Sequence, residues 1–196
     1  IRSELMIADA DGKNPRKLVP GLQIDYNASF SFDGQWVVFT SERDGSADIF
    51  RVRTDGMGLQ RLTDSPAFDD QAALAPDGNS LAFVSSRDSG STDVYVMDMK
   101  SRRLRNLTKS PGGDYRPSWS PDGRSIVYPF RTLDQEMRFA LVSVSVADGA
   151  VREVYSDKTP FARPVWLSGQ ELLLVRNEPA SQRGELWTIS YPDCRS

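Results

Sequence analysis

Four short segments of the chain carry acidic, aromatic and cationic residues in matching order: QIDYN (Gln23–Asn27), AFDDQ (Ala67–Gln71), GDYR (Gly113–Arg116) and PFAR (Pro160–Arg163). Aligned on one another, they put Asp25, Asp69, Asp114 and Phe161 in one column. Tyr26, Asp70, Tyr115 and Ala162 fall in the next, and Asn27, Gln71, Arg116 and Arg163 in a third. Guanidiniums grip carboxylates through paired N–H donors, and aromatic rings supply packing area, so this set suits recognition of a peptide. The repeated aspartates also have a plainer use, bonding local backbone where a strand begins. The positions that differ between copies (Arg116 and Arg163 beside Asn27 and Gln71) carry specificity, because a shared backbone does not require them to match.

Covalent catalysis fits the composition poorly. The 196 residues include no histidine, which removes Ser-His-Asp and Cys-His chemistry, histidine-ligated metals and a histidine pH switch together. The single cysteine, Cys194, excludes an internal disulfide and a cysteine-based zinc cluster. Arg43 and Arg87 precede Asp48 and Asp93 by five and six residues, and such pairs are expected to brace a hairpin rather than catalyse. A carboxylate-only glycosidase would need acids paired across a cleft, and no spacing singles out a pair. The expectation is therefore no catalytic residue, no metal and no cofactor. A net charge of -3 gives no electrostatic reason to expect nucleic acid, and no apolar run is long enough for membrane insertion. The chain opens on Ile1, as a mature or excised piece would, so the lack of a leader does not fix a compartment.

The elements that position these residues come from a repeat. The turn glycines Gly34, Gly78, Gly123 and Gly169 are 44, 45 and 46 residues apart. Leu5, Ile49, Val94, Leu141 and Leu186 keep a parallel spacing of 44, 45, 47 and 45. Each period holds four short runs rich in branched and aromatic residues. NASFSF (27–32), QWVVFTS (35–41), DIFRV (48–52) and QRLT (60–63) are one set, separated by Gly, Asp, Pro and Ser, which is the pattern of strands and turns. Asp33-Gly34, Asp77-Gly78 and Asp122-Gly123 fit two-residue hairpins that need positive φ. One face of the first run is large (Phe30 and Phe32, Leu74, Trp119, Trp166) and the other small (Ser29, Ala73, Ser118), as stacked sheets require. Four-stranded sheets stacked around an axis make an all-β propeller. The expected organisation is a single β-propeller domain over 1–196, with a partial blade at 1–22. Repeats follow at about 23–66, 67–110, 111–157 and 158–196, the last incomplete. Counting strands favours an arc of a larger propeller with partial blades at both ends, open to self-association through them. Pairing of Lys17–Pro20 with Glu185–Ile189 would instead close a ring.

PSWSPDGRSIVY, AALAPDGNSLAFVSSRD and LTDSPAFDDQ resemble the TolB-type, WD-repeat-like propeller repeats of bacterial proteins, from roughly Ser3 to Ile189. In the last copy the motif loosens to VWLSGQELLLV, where Ser168 takes the aspartate's place. The resemblance implies a bacterial, often periplasmic or otherwise extracytoplasmic, propeller that binds protein. Relatives also form the propeller portion of prolyl-oligopeptidase-like peptidases and of sensors, or accompany amidohydrolases. The leading expectation is a non-catalytic module that binds a protein or peptide at the channel mouth, through Tyr26, Asn27, Asp70, Gln71, Tyr115, Arg116, Phe161 and Arg163. The alternative is the propeller portion of a larger hydrolase or sensor whose catalytic domain lies outside this sequence.

Overall fold

A computed structural model describes residues 3–21, 23–88, 90–110, 112–131, 138–178 and 183–191, and these contain strands and turns but no helix. Cys194 and most of the loop between Arg131 and Ala140 lie outside them. The strands form five antiparallel sheets in chain order. β1 (Met6–Ile7) and β2 (Arg16–Lys17) make a pair. β3 (Asp25–Phe30), β4 (Trp36–Ser41), β5 (Asp48–Arg53) and β6 (Gln60–Arg61) make the first four-stranded sheet. β7 (Asp69–Leu74), β8 (Ser80–Ser85), β9 (Asp93–Asp98) and β10 (Leu104–Asn106) make the second. β11 (Ser118–Trp119), β12 (Ser125–Arg131), β13 (Phe139–Ser145) and β14 (Val151–Asp157) make the third. β15 (Phe161–Ser168), β16 (Glu171–Glu178) and β17 (Arg183–Ser190) form the last, with three strands. Within every sheet the strands neighbour one another in sequence order, the up-and-down connectivity of propeller blades.

Side chains alternate across a strand, so a strand between two other sheets must be apolar on both faces. β8 shows this: Leu81 and Phe83 join Val38, Ile49 and Leu74 on one side, while Ala82 and Val84 join Trp119, Ile126 and Tyr128 on the other. The same alternation sends Val37 and Phe39 toward Leu18 and Val19, and Val127 toward Leu172 and Leu174. Four apolar clusters thus fill the four spaces between successive sheets. No sheet has a core of its own.

Strand pairing among the described residues does not close a ring. β2 pairs only with β1 and β17 only with β16 among the described residues, so Lys17–Pro20 does not meet Glu185–Ile189. The arc has a consequence for the large face of the first strands. Leu74 and Trp119 are each 6% exposed, but Phe30 and Phe32 are 61% and 67% exposed. Leu74 and Trp119 are covered by the second strand of the preceding sheet; the sheet before Phe30 is the β1–β2 pair, which has no counterpart of that strand.

The Asp-Gly turns also depart from a two-residue hairpin. Gly34, Gly78 and Gly123 are left-handed, at φ 67°, 71° and 70°, but their aspartates are not. Ser31 closes the loop against Trp36, leaving four residues between them. Asp33 is not at positive φ, and its carboxylate accepts from the Ser31 hydroxyl at 2.5 Å and the Gln35 amide at 3.0 Å, which braces the loop. Asp122 does the same with Ser120 and Arg124.

Candidate functional site

The first-column aspartates are structural. Asp25 is held by Arg43 Nη2 at 3.0 and 3.1 Å, and Asp69 by Arg87 Nη2 at 3.0 and 2.8 Å. Each guanidinium also donates through Nε to the serine two residues before it and lies over two rings, Phe39 and Phe50 for Arg43, Phe83 and Tyr95 for Arg87. The expected partners Asp48 and Asp93 are therefore replaced by Asp25 and Asp69. The hairpin register explains this: Asp25 lies opposite Ser41 and Asp69 opposite Ser85, so an arginine two residues on reaches back across the pair. Asp48 is gripped instead by Arg61 at 2.6 Å, and Asp93 by the Asn106 amide at 3.1 Å.

Asp114, the third copy, has a different setting. It is fully buried, the Thr108 hydroxyl donates to its Oδ2, and its Oδ1 meets no donor in good geometry. Burial pushes its carboxyl up to about 6, against the pull of the Thr108 and Ser110 hydroxyls, and the charge of Asp93 adds to the rise.

The third column is where the chain builds something unusual. Asn27, Gln71, Arg116 and Arg163 all lie in the left-handed region, at φ 49°, 57°, 46° and 57°. None is glycine, and for such residues this conformation costs roughly 1–2 kcal/mol. Three of them mark register shifts, between Tyr26 and Ser29, Asp70 and Ala73, and Ala162 and Val165. Arg116 holds the matching place just before β11. A bulge re-aims a side chain, and here it turns four equivalent residues into one cleft of about 580 Å³. The inner strands of four sheets line it, with Ser29, Ala73, Ser118 and Val165 along its wall.

The four residues then divide by what they touch. The Asn27 amide donates to the Asp70 carboxylate of the next sheet at 2.9 and 3.0 Å, and Gln71 Oε1 accepts the Arg116 backbone N–H at 2.6 Å. These two are latches between sheets. Asp70 is buried and saturated, since it also accepts from the Thr40 hydroxyl at 2.5 Å and the Gln71 amide at 2.7 Å. Arg116 and Arg163 have no such role. Neither guanidinium forms a hydrogen bond or ion pair among the described residues. Burial first, and then Arg163, pull the Arg116 pKa down, with Asp70 opposing.

The aromatic candidates are also sorted. Tyr26 donates to Glu42 at 3.2 Å, its phenol raised by burial and then by the charge of Asp70. Tyr115 is half-exposed beside the cleft and packs its hydroxyl so close to Gly113 that a Cβ there would lie 2.6 Å from it. Phe161 does not belong at the mouth. It is 4% exposed in the outer core, 5.5 Å from the Tyr155 ring, because an apolar side chain in the aspartate column follows the core rather than the cation. Latches that the sequence did not show are Ser29 Oγ to the Ala72 carbonyl, Trp119 Nε1 to Ala73, and Trp166 Nε1 to Ser118, at 2.8, 3.0 and 3.4 Å. Their signal was the register alone: Trp119 and Trp166 stand in one column. No group of three or more His, Cys, Asp or Glu among the described residues is placed to hold a metal ion.

Stacked four-stranded sheets around a cleft lined by their first strands define a β-propeller. The family model described as the TolB beta propeller domain matches residues 2–88 and 64–187, and the chain belongs to that family. It is 36% identical over 77 residues to the uncharacterized protein Atu1656 of Agrobacterium fabrum, covering 39% of this chain and 26% of that protein. TolB from Acinetobacter baumannii superposes with a TM-score of 0.72 at 21% identity, over 95% of this chain and 57% of that one. An oligogalacturonate lyase from Vibrio parahaemolyticus gives 0.68 at 13% identity, over 96% and 57%. At these identities the superpositions show a shared fold, and the chain spans about half the length of either structure.

Proposed function

We propose that this chain is a non-catalytic, extracytoplasmic interaction module, one propeller domain that binds a protein or peptide in the cleft formed by its first strands. The observation that carries the reading is the pair of guanidiniums, Arg116 and Arg163, turned into a 580 Å³ cleft with no partner among the described residues while their counterparts Asn27 and Gln71 are tied down. Arg116 is partly buried and Arg163 exposed, and an unpaired, partly buried cation is costly unless something arrives to meet it. The lack of histidine anywhere in the sequence supports a binding role over hydrolysis.

A photo-crosslinking residue placed at Tyr115, half-exposed and next to Arg116, tests this against one placed at Gln60, on strand β6. In a bacterial envelope extract, a discrete polypeptide adduct is expected from position 115 only. Equal adducts from both sites, or none from position 115, would overturn the reading. The alternative, a propeller portion of a larger hydrolase, would be selected by a flanking Gly-x-Ser-x-Gly elbow followed by a histidine.

A further inference from the structure

Arg43, Arg61, Arg87 and Arg176 each hold a carboxylate, at 3.0, 2.6, 2.8 and 3.1 Å. Arg116 and Arg163 depart from that pattern. Both line the same cleft, each from a left-handed residue, against the electrostatic preference of like charges and the conformational preference of arginine. The geometry points to a carboxylate seat: we propose that Arg116 and Arg163 together receive the acidic side chain or free C-terminus of a peptide lying in the cleft. The proposal rests on the peptide-binding reading above and narrows it to one ligand chemistry.

The lining of the cleft decides between a peptide and a sugar acid, both of which bring carboxylates. A saccharide needs neutral donors and acceptors for its hydroxyls. Here Asn27 Nδ2 is engaged by Asp70, Gln71 Oε1 by the Arg116 amide, and the Ser29 hydroxyl by Ala72, which leaves Ser118 and the far ends of the two amides as the neutral groups of the cleft. Beside the two arginines the wall is instead Pro117, Pro164 and Val165, and Val165 is exposed. A charge flanked by aliphatic surface matches a carboxylate next to a small apolar side chain. Planar guanidiniums favour it through paired donors, which a lysine at either place would not reproduce.

The test follows arginine Nε–Hε resonances of the 196-residue chain at low salt, assigned by their loss in Arg116→Gln and Arg163→Gln. The probes are acetyl-Gly-Leu-Glu with both carboxylates free, its neutral counterpart acetyl-Gly-Leu-Gln-amide, and trigalacturonate. The acidic peptide is expected to shift both resonances saturably and to bind about tenfold more tightly than the neutral one. Each arginine substitution should weaken it by about tenfold with an unchanged melting temperature, because neither guanidinium bonds to another of the described residues. Neutral and acidic peptides binding within twofold of each other would overturn the carboxylate seat and leave the channel-mouth reading standing. Trigalacturonate shifting these resonances where the peptide does not would overturn the choice of a peptide. Silence with all three probes would overturn the seat itself, independently of the crosslinking at Tyr115.

Discussion

Replacing Asp114 by asparagine changes one oxygen to an amide at a site with no exposure to water, and the effect on stability can be worked out in sign and size. The folded carboxyl titrates near 6, against an ordinary value of 3.8. The group binds its proton more tightly in the folded chain, so its contribution to stability is fully present below about pH 3.8 and is lost as pH rises through about 6. A shift of about two units, at roughly 1.4 kcal/mol per unit, sets the whole span at about 3 kcal/mol. Between pH 7.5 and pH 4.5 about 2 kcal/mol of it is recovered. Asparagine cannot titrate. Urea unfolding of both proteins at the two pH values should therefore show the wild type gaining about 2 kcal/mol on the variant as pH falls. Subtraction removes carboxylates common to both, among them Asp157, whose pKa is lowered to about 2 chiefly by the Thr159 amide. Parallel curves, with a constant difference at both pH values, would refute the claim that Asp114 is a desolvated carboxylate.

Two further perturbations address the clamps and the cores. Arg87→Ala strands the fully buried Asp69 without its counter-ion and should cost about 3–5 kcal/mol in chemical denaturation, whereas Asp69→Asn with Arg87→Met should recover most of that. Phe83→Ala opens a cavity between two sheets and should cost about 3–5 kcal/mol, while Phe30→Ala, at 61% exposure, should cost less than ~1 kcal/mol; equal losses would deny the arc its open face.

The repeat was legible because it has two independent markers. A turn glycine, at positive φ in three of its four copies and not at Gly169, and an apolar third strand both recur at one spacing, and each answers to local chemistry. Strand order within each sheet followed from the short turns. What depends on neighbours in space was not legible. Phe30, Leu74 and Trp119 stand in one column, yet only the presence of a second strand in the preceding sheet buries two of them. The partner of Arg43 is set by the register opposite Ser41, not by distance along the chain, which pointed to Asp48. Asn27, Gln71, Arg116 and Arg163 are left-handed with no glycine to announce it. Column alignment nevertheless brought those four positions together, since equivalent places in successive sheets face one axis. Phe161 shows the limit of that logic, because position is inherited from the repeat but direction depends on polarity.

The mooring of the Arg116 amide to Gln71, and of Asn27 to Asp70, makes the copies of this repeat unable to drift separately along the inner wall. Loss of the amide at 71 orphans a donor forty-five residues away, and loss of the carboxylate at 70 releases a side chain forty-three residues upstream. Substitution of Asp70 is expected to arrive together with substitution of Asn27, whereas the Gln71 latch meets a backbone amide and accepts any residue but proline at 116, so the guanidiniums of Arg116 and Arg163, unbonded among the described residues, remain free to vary with whatever they greet.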